Sequence, residues 1–146
     1  VKGDLETITE LVEAIEKAER PVFYTGGGVI NSGPAASQLL RELVEATGFP
    51  ITSTLMGLGA YPASDDAWLG MLGMHGTGAA NFAVHHADLI IGIGIRFDDR
   101  ITGNLKEFKS NKKFTIFLRN RHVMITGCDI NLSCFKEHSI FSFFTD

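Results

Sequence analysis

The run Leu89 to Ile95, LIIGIGI, does more than any other to limit the folds open to this chain. It shows no polar alternation, so as a strand it must be covered on both faces, the condition of a strand inside a parallel sheet. A glycine-broken loop around Gly73 to Gly78 and a short helical segment, Ala79 to Ala87, lead into it. Arg96, Asp98, Asp99 and Arg100 follow it at once and would emerge at its carboxyl end. That end is where open α/β sheets take their ligands.

The residues upstream supply the rest of such a sheet. Asp4 to Ala18 places Leu5, Ile8, Leu11, Val12 and Ile15 at helical spacing, with Asp4 or Thr7 as N-cap and Pro21 beyond the end. Val22 to Thr25 reads as a strand running into Gly26, Gly27 and Gly28. Pro34 then opens a helix whose apolar face is Ala36, Leu39, Leu40, Leu43 and Val44, with Gly48 as its stop. Phe49 to Thr54 gives a second strand, and Leu55 to Ser64, broken by Gly57, Gly59 and Pro62, a loop. Strand, helix, strand, loop, helix, strand is the order of a Rossmann-like, doubly wound α/β fold with a parallel sheet.

Charge divides the chain. Residues 1–108 carry 7 basic against 14 acidic residues and all four prolines, whereas residues 109–146 carry 6 basic against 3 acidic, both cysteines and 6 of the 11 phenylalanines. A shift this abrupt suggests that residues 109–146 obey different rules from residues 1–108. The net charge of -4 argues against nucleic acid as a partner. No apolar run reaches the length of a membrane span, and the acidic amphipathic start lacks the apolar core of a signal peptide, so the expectation is a cytoplasmic protein with no membrane partner.

Several residues invite chemistry. Gly26-Gly27-Gly28 between a strand and a helix fits either close approach of a phosphate or a turn needing positive φ, and the ordinary NAD fingerprint is absent: Asn31 stands where the third glycine belongs, and the second strand ends in Thr52-Ser53-Thr54 instead of a carboxylate. Thr54, Leu55, Met56 and Gly57 lie past the second strand, either as an apolar wall for a flat ring or as a surface turn. His75 sits in a loop, while His85 and His86 fall on the polar side of the short helix. Neither these histidines nor Cys128 and Cys134 have metal-ligand spacing, so no metal site is expected. Asp65-Asp66 reads as a solvated acidic turn. The charges from Arg96 to Arg100 serve a polar ligand or form a local ion-pair network.

Taken together, PVFYTGGGVINS, TGFPITSTLMGLGAYP, LGMLGMHGT and IRFDDRITG closely resemble the central domain of the large catalytic subunit of acetolactate synthase (acetohydroxyacid synthase), a thiamine-diphosphate enzyme family, over roughly residues 5 to 108. The resemblance implies a six-stranded parallel α/β domain that binds FAD. It assigns Gly27 to the diphosphate or ribose region and Thr54 and Leu55 to the flavin. Leu72, Gly73, Met74 and His75 become a second wall of the cleft, and Gly94, Ile95, Arg96, Phe97 and Asp98 a third. Asp99 and Arg100 match residues near the channel to the active site, and no catalytic residue is assigned.

The resemblance also implies thiamine diphosphate and Mg2+ in the parent enzyme, held by two further domains, the pyrimidine and diphosphate domains. The glutamate-bearing motif and the Gly-Asp-Gly…Asn motif of those domains are absent from these residues. The parent reaction would condense pyruvate with pyruvate or 2-oxobutyrate to a 2-acetohydroxyacid in branched-chain amino acid biosynthesis. The parent works as a homodimer or larger assembly, in some cases with a regulatory subunit. After the RFDDR string the chain departs from the family, with Asp129-Ile130 a displaced echo of its adenosine-binding strand. The resemblance therefore implies one domain over 1–108 and a divergent or out-of-frame tail over 109–146, which leaves the fold incomplete at its C-terminus unless the tail supplies irregular or substitute strands. A freestanding nucleotide-binding module without catalysis and a non-functional gene fragment are the alternatives.

Overall fold

The computed structural model describes residues 12–95, 113–117 and 123–126. Strand β1 (Pro21–Thr25) follows a helix, α1, described over residues 12–17. The order continues α2 (Gly27–Asn31), α3 (Pro34–Thr47), β2 (Ile51–Ser53), a 3-10 turn (Leu55–Gly57), β3 (Trp68–Met71), α4 (Gly78–His86), β4 (Leu89–Ile93), β5 (Lys113–Phe117) and β6 (Val123–Thr126). The strands form one sheet in the order β3-β2-β1-β4-β5-β6. Pairing is parallel throughout, except that β6 joins β5 antiparallel.

The exception to an all-parallel sheet has a simple cause. Only residues 118–122 separate β5 from β6, and a parallel return needs a crossover of about a dozen residues or more. A strand that returns so soon can only pair antiparallel.

Both faces of the sheet are covered, as the Leu89 run requires. Phe23, Ile51, Leu89 and Ile91 point to one face, where Leu40 and Val44 of α3 meet them and Ala14 and Ile15 of α1 pack alongside. Val22, Tyr24 and Ile90 point to the other, against Val84 of α4, with Ala87 and Leu72. Helices on both faces make the fold doubly wound, and the alternation within β1 and β4 is that of strands buried on both sides.

Two sequence expectations need correction. The buried stripe of α3 is narrower than its apolar residues suggest: Leu40 and Val44 are buried, but Leu39 is 66% and Leu43 38% exposed. Positions one residue apart differ by about 100° around a helix, so a helix seated by the row Ala36, Leu40, Val44 turns Leu39 and Leu43 outward. Strand β3 was not foreseen at all. Gly70 interrupts its apolar run with φ 89°, and the β2–β3 register shifts between Ile51 and Ser53. A glycine inside a strand often marks such an irregularity and hides the strand from a periodicity reading.

Candidate functional site at the carboxyl rim of the sheet

The ladder register builds the site. Thr25 pairs with Ser53 on one side and Ile93 on the other, and Ser53 pairs with Met71. Met71, Ser53, Thr25 and Ile93 therefore stand in one row across four parallel strands, about 14 Å wide at the usual strand spacing. The residues that step off that row are Leu72, Thr54, Gly26 and Gly94. Segments scattered over the sequence thus leave the sheet side by side. Between β1 and β4 the strand order reverses, since the chain passes from β1 out to β2 and β3 before returning on the other side. That is the topological switch point at which open α/β sheets bind ligands.

Glycines close the middle of the row. The Gly28 N–H donates to the Gly94 carbonyl at 2.9 Å, and the Gly26 N–H to that of Ile93 at 3.0 Å. A Cβ on Gly28 would stand 2.7 Å from the Gly94 Cα, and one on Gly94 2.6 Å from the Val29 nitrogen. A Cβ on Gly57 would stand 2.7 Å from the Thr25 carbonyl oxygen. Gly26 has φ -129°, and none of the three consecutive glycines lies in the positive-φ region. The turn reading of this triplet is therefore overturned: Gly26 and Gly28 are required by the approach of the backbone at Gly94, which itself has φ 61°. Gly27 differs, facing the Met56 Cβ at 3.1 Å from its own hypothetical Cβ, so it opens toward the next loop.

Apolar side chains line the outer rows. Thr54 caps the 3-10 turn by accepting the Gly57 N–H at 3.1 Å, so the segment expected to be a loop carries one ordered turn. That cap leaves Leu55 67% and Met56 73% exposed. In the neighbouring loop Met74 is 91% exposed, and Gly73 and His75 lie beside it. Leu72 is different, because its side chain is buried in the core with Tyr24 and Ile90, so only its backbone belongs to the rim. Ile95 is buried in the same cluster. Arg96, Phe97, Asp98, Asp99 and Arg100 lie outside the described residues.

Asn81 and Thr77, which sequence reasoning missed, hold the second wall. The Asn81 amide nitrogen donates to the carbonyls of Gly73 and Thr77, both at 2.9 Å, and its oxygen accepts the Gly73 N–H at 3.2 Å. Thr77 caps α4 by accepting the Ala80 N–H at 3.1 Å, and its hydroxyl donates to the Leu69 carbonyl. A threonine at the head of a short apolar helix is the one signal that could have found this cap.

The other features of the molecule lie elsewhere. A cavity of about 330 Å³ between α3 and the chain ahead of β3 is lined by Arg41, Glu45, Gly48, Tyr61 and Asp65. Gly48 ends α3 just ahead of β2, which puts this cavity near the amino ends of the strands, away from the rim. Burial pushes the Tyr61 hydroxyl up to about 12, helped by its hydrogen bond to Asp65. His85 and His86 are exposed on α4, and Asp65-Asp66 is an exposed turn, both as the sequence suggests. Among the described residues no group of three potential ligands could hold a metal ion, and no helix is long and apolar enough to cross a membrane.

Comparison with known proteins agrees with the fold. Residues 8–129 match the family model for the thiamine pyrophosphate enzyme central domain, a span that runs past Phe108 and through β5 and β6. The chain is 51% identical over 123 residues to the chloroplastic acetolactate synthase of Arabidopsis thaliana, covering 84% of this chain and 17% of that protein. It is 50% identical over 127 residues to acetolactate synthase 3, chloroplastic, of Brassica napus, covering 87% and 18%. With the acetolactate synthase large subunit of Haemophilus influenzae it shares 47% over 113 residues, covering 77% and 19%. The chain spans about a fifth of the length of these curated relatives.

Proposed function

The chain belongs to the thiamine pyrophosphate enzyme family through its central domain, and from that premise we propose that it is the FAD-binding central domain of an acetolactate synthase catalytic subunit. The observation that carries this reading is the common row of strand ends, at which the loops of glycine, Leu-Met and Met-His character leave the sheet side by side at a switch point. Identities near 50% to acetolactate synthases support the choice of parent enzyme.

The residues present fit an elongated ligand with one flat apolar end. Leu55, Met56, Leu58 and Met74 stand exposed in the two loops that flank β2 and β3. A covering ring system would recover part of the roughly 1.5–3 kcal/mol that full burial of such a side chain is worth. Grouped apolar exposure of this kind marks a binding surface. Gly27 is the glycine of the triplet that packs against Met56 and not against Gly94, and this reading assigns its backbone to the diphosphate or ribose region. Ser53 adds a buried hydroxyl with no hydrogen-bond partner among the described residues, at the last position of β2.

In this reading Gly27, Thr54, Leu55, Gly73, Met74, His75 and Gly94 hold FAD, with Leu72 and Ile95, whose side chains are buried in the core, contributing backbone only. Arg96 and Asp98 supply ribose and phosphate partners, Phe97 stands with them in the third wall of the cleft, and Asp99 and Arg100 face the channel to the active site. FAD has no net redox role in the condensation, so its contribution is structural. The parent condenses pyruvate with a second pyruvate or 2-oxobutyrate, with loss of carbon dioxide, on the path to valine, leucine and isoleucine. Thiamine diphosphate and Mg2+ are held by the pyrimidine and diphosphate domains, which are this domain's partners in a dimer or larger assembly with or without a regulatory subunit.

Titrating the 146-residue chain with FAD and following flavin fluorescence tests the proposal. Saturable quenching that Leu55→Asp and Met56→Asp weaken together supports it, whereas wild type and variant responding alike contradicts it. The chain alone, given pyruvate, thiamine diphosphate and Mg2+, forms no acetolactate in this account. Formation of that product would overturn the division of labour among domains.

A further inference from the structure

The tip of the loop between β3 and α4 cannot hold itself in place. Met74 is 91% exposed and His75 is exposed, so the direction of both side chains is set by the backbone that carries them. That backbone is fastened from one side. A single carboxamide, Asn81, takes both polar groups of Gly73 and reaches the Thr77 carbonyl as well. The three bonds assign the amide orientation, because only the nitrogen can donate to two carbonyls while the oxygen accepts an N–H. Asn81 stands one turn into α4, and α4 is seated on the sheet by Ala80 and Val84. Gly73 is thereby referenced to the core through the helix.

The far side of the loop is closed by backbone and by Thr77. The Thr77 N–H donates to the Met71 carbonyl at 2.9 Å and the Gly76 N–H to that of Gly73 at 3.0 Å. These bonds close the loop on itself, but among the side-chain bonds of the described residues only those of Asn81 reach Gly73, the residue adjoining Met74. Asn81 itself is exposed and adds nothing to the apolar core. A side chain that contributes three hydrogen bonds to one loop and no core packing is placed for alignment.

We propose that Asn81 is a positioning residue, which holds Met74 and His75 in the posture in which they meet a bound flavin. The inference rests on the reading of the rim given above for the identity of the ligand, and on the hydrogen bonds alone for the strap. Population arithmetic gives the size of the effect: if release of the strap leaves the loop aligned about one-tenth of the time, FAD binds about ten-fold more weakly.

The test compares wild type, Asn81→Ala and Asn81→Asp in the 146-residue chain, with Gln38→Ala on α3 as an exposed control. The aspartate variant keeps the acceptor for the Gly73 N–H but sets an anion against two carbonyl oxygens. Amide exchange without ligand is expected to speed up at residues 73–77 in both Asn81 variants, with the Val84 amide as slow as in wild type. FAD dissociation constants are expected to rise about ten-fold in both, with none in the control. Unchanged exchange at residues 73–77 would overturn the strap itself. Faster exchange with wild-type FAD affinity would overturn the positioning role. A wild-type chain that fails to bind FAD overturns the flavin reading and the strap's ligand with it, while the exchange data still report whether Asn81 fastens the loop.

Discussion

The two halves of the rim are positioned by opposite means. Between β1 and β4 the chain is located by missing side chains: Gly26, Gly28 and Gly94 let two pieces of backbone touch, and the hydrogen bonds between them run from main chain to main chain. Between β3 and α4 it is located by side chains, with Thr77 and Asn81 reaching back to carbonyls and amides of the loop. The first arrangement tolerates no added atom. The second depends on side-chain bonds that a substitution can remove without any clash. A groove with one rigid wall and one strapped wall can fix a ligand's narrow end while the other wall adjusts to its ring.

Substitutions that add a Cβ to the first region test the contrast most severely. Gly94→Ala should cost about 3 kcal/mol or more, because it combines positive φ with backbone overlap at Val29. Chemical denaturation will check this, and a loss below about 1 kcal/mol would mean the backbone contacts are loose. Gly28→Ala, without the positive φ, should cost about 1–3 kcal/mol. Gly73→Ala sharpens the comparison, since its φ is 109° but no atom lies within 4 Å of the added carbon, leaving only about 1–2 kcal/mol of backbone cost.

The amino ends of the strands offer a control region with its own pH signature. Asp88 accepts the Glu19 and Arg20 amides at 2.7 and 2.9 Å and so ties the end of α1 to the start of β4. Burial alone would raise its carboxyl, but these bonds and the Arg20 charge outweigh that and hold it below its ordinary value. Its stabilising contribution is therefore complete above the unfolded value of about 3.9 and is lost as the pH falls through the lower folded value. Asp88→Asn should be less stable than wild type near neutral pH, with the gap narrowing in acid below about pH 4. A gap that widens in acid would reverse the sign and contradict the assignment.

The smallest effects belong to the strapped wall. Thr77→Ala should cost about 1 kcal/mol through its lost cap. Met74→Ala should change stability by no more than about 0.5 kcal/mol, although it removes an apolar atom group from the groove. Thermal unfolding measures both. A large destabilisation by Met74→Ala would show that its side chain packs in the fold and does not wait at the surface.

Legibility in the sequence followed the same contrast. The Leu89 run, the helix stop at Gly48 and the strand before the glycine triplet announced the sheet, because burial and chain breaking act locally on residue choice. The convergence of the candidate segments was legible too, since every parallel strand delivers its carboxyl end to one rim. What stayed hidden depended on distant partners. The glycines at 26 and 28 looked like a turn because their real neighbour, Gly94, is far along the chain. Strand β3 was masked by Gly70, whose missing side chain makes room for Thr77. Asn81 looked like any exposed helical asparagine, and only the folded loop reveals its three bonds. The antiparallel β6 followed from a loop length, not from any residue pattern.

The most direct test of the central claim is amide hydrogen exchange of the chain with and without FAD. The account predicts added protection at residues 26–29, 54–57, 72–76 and 94–95 together, with none around Arg41, Tyr61 and Asp65. Protection confined to the Tyr61 cavity, or none at the four rim segments at saturating FAD, would contradict it.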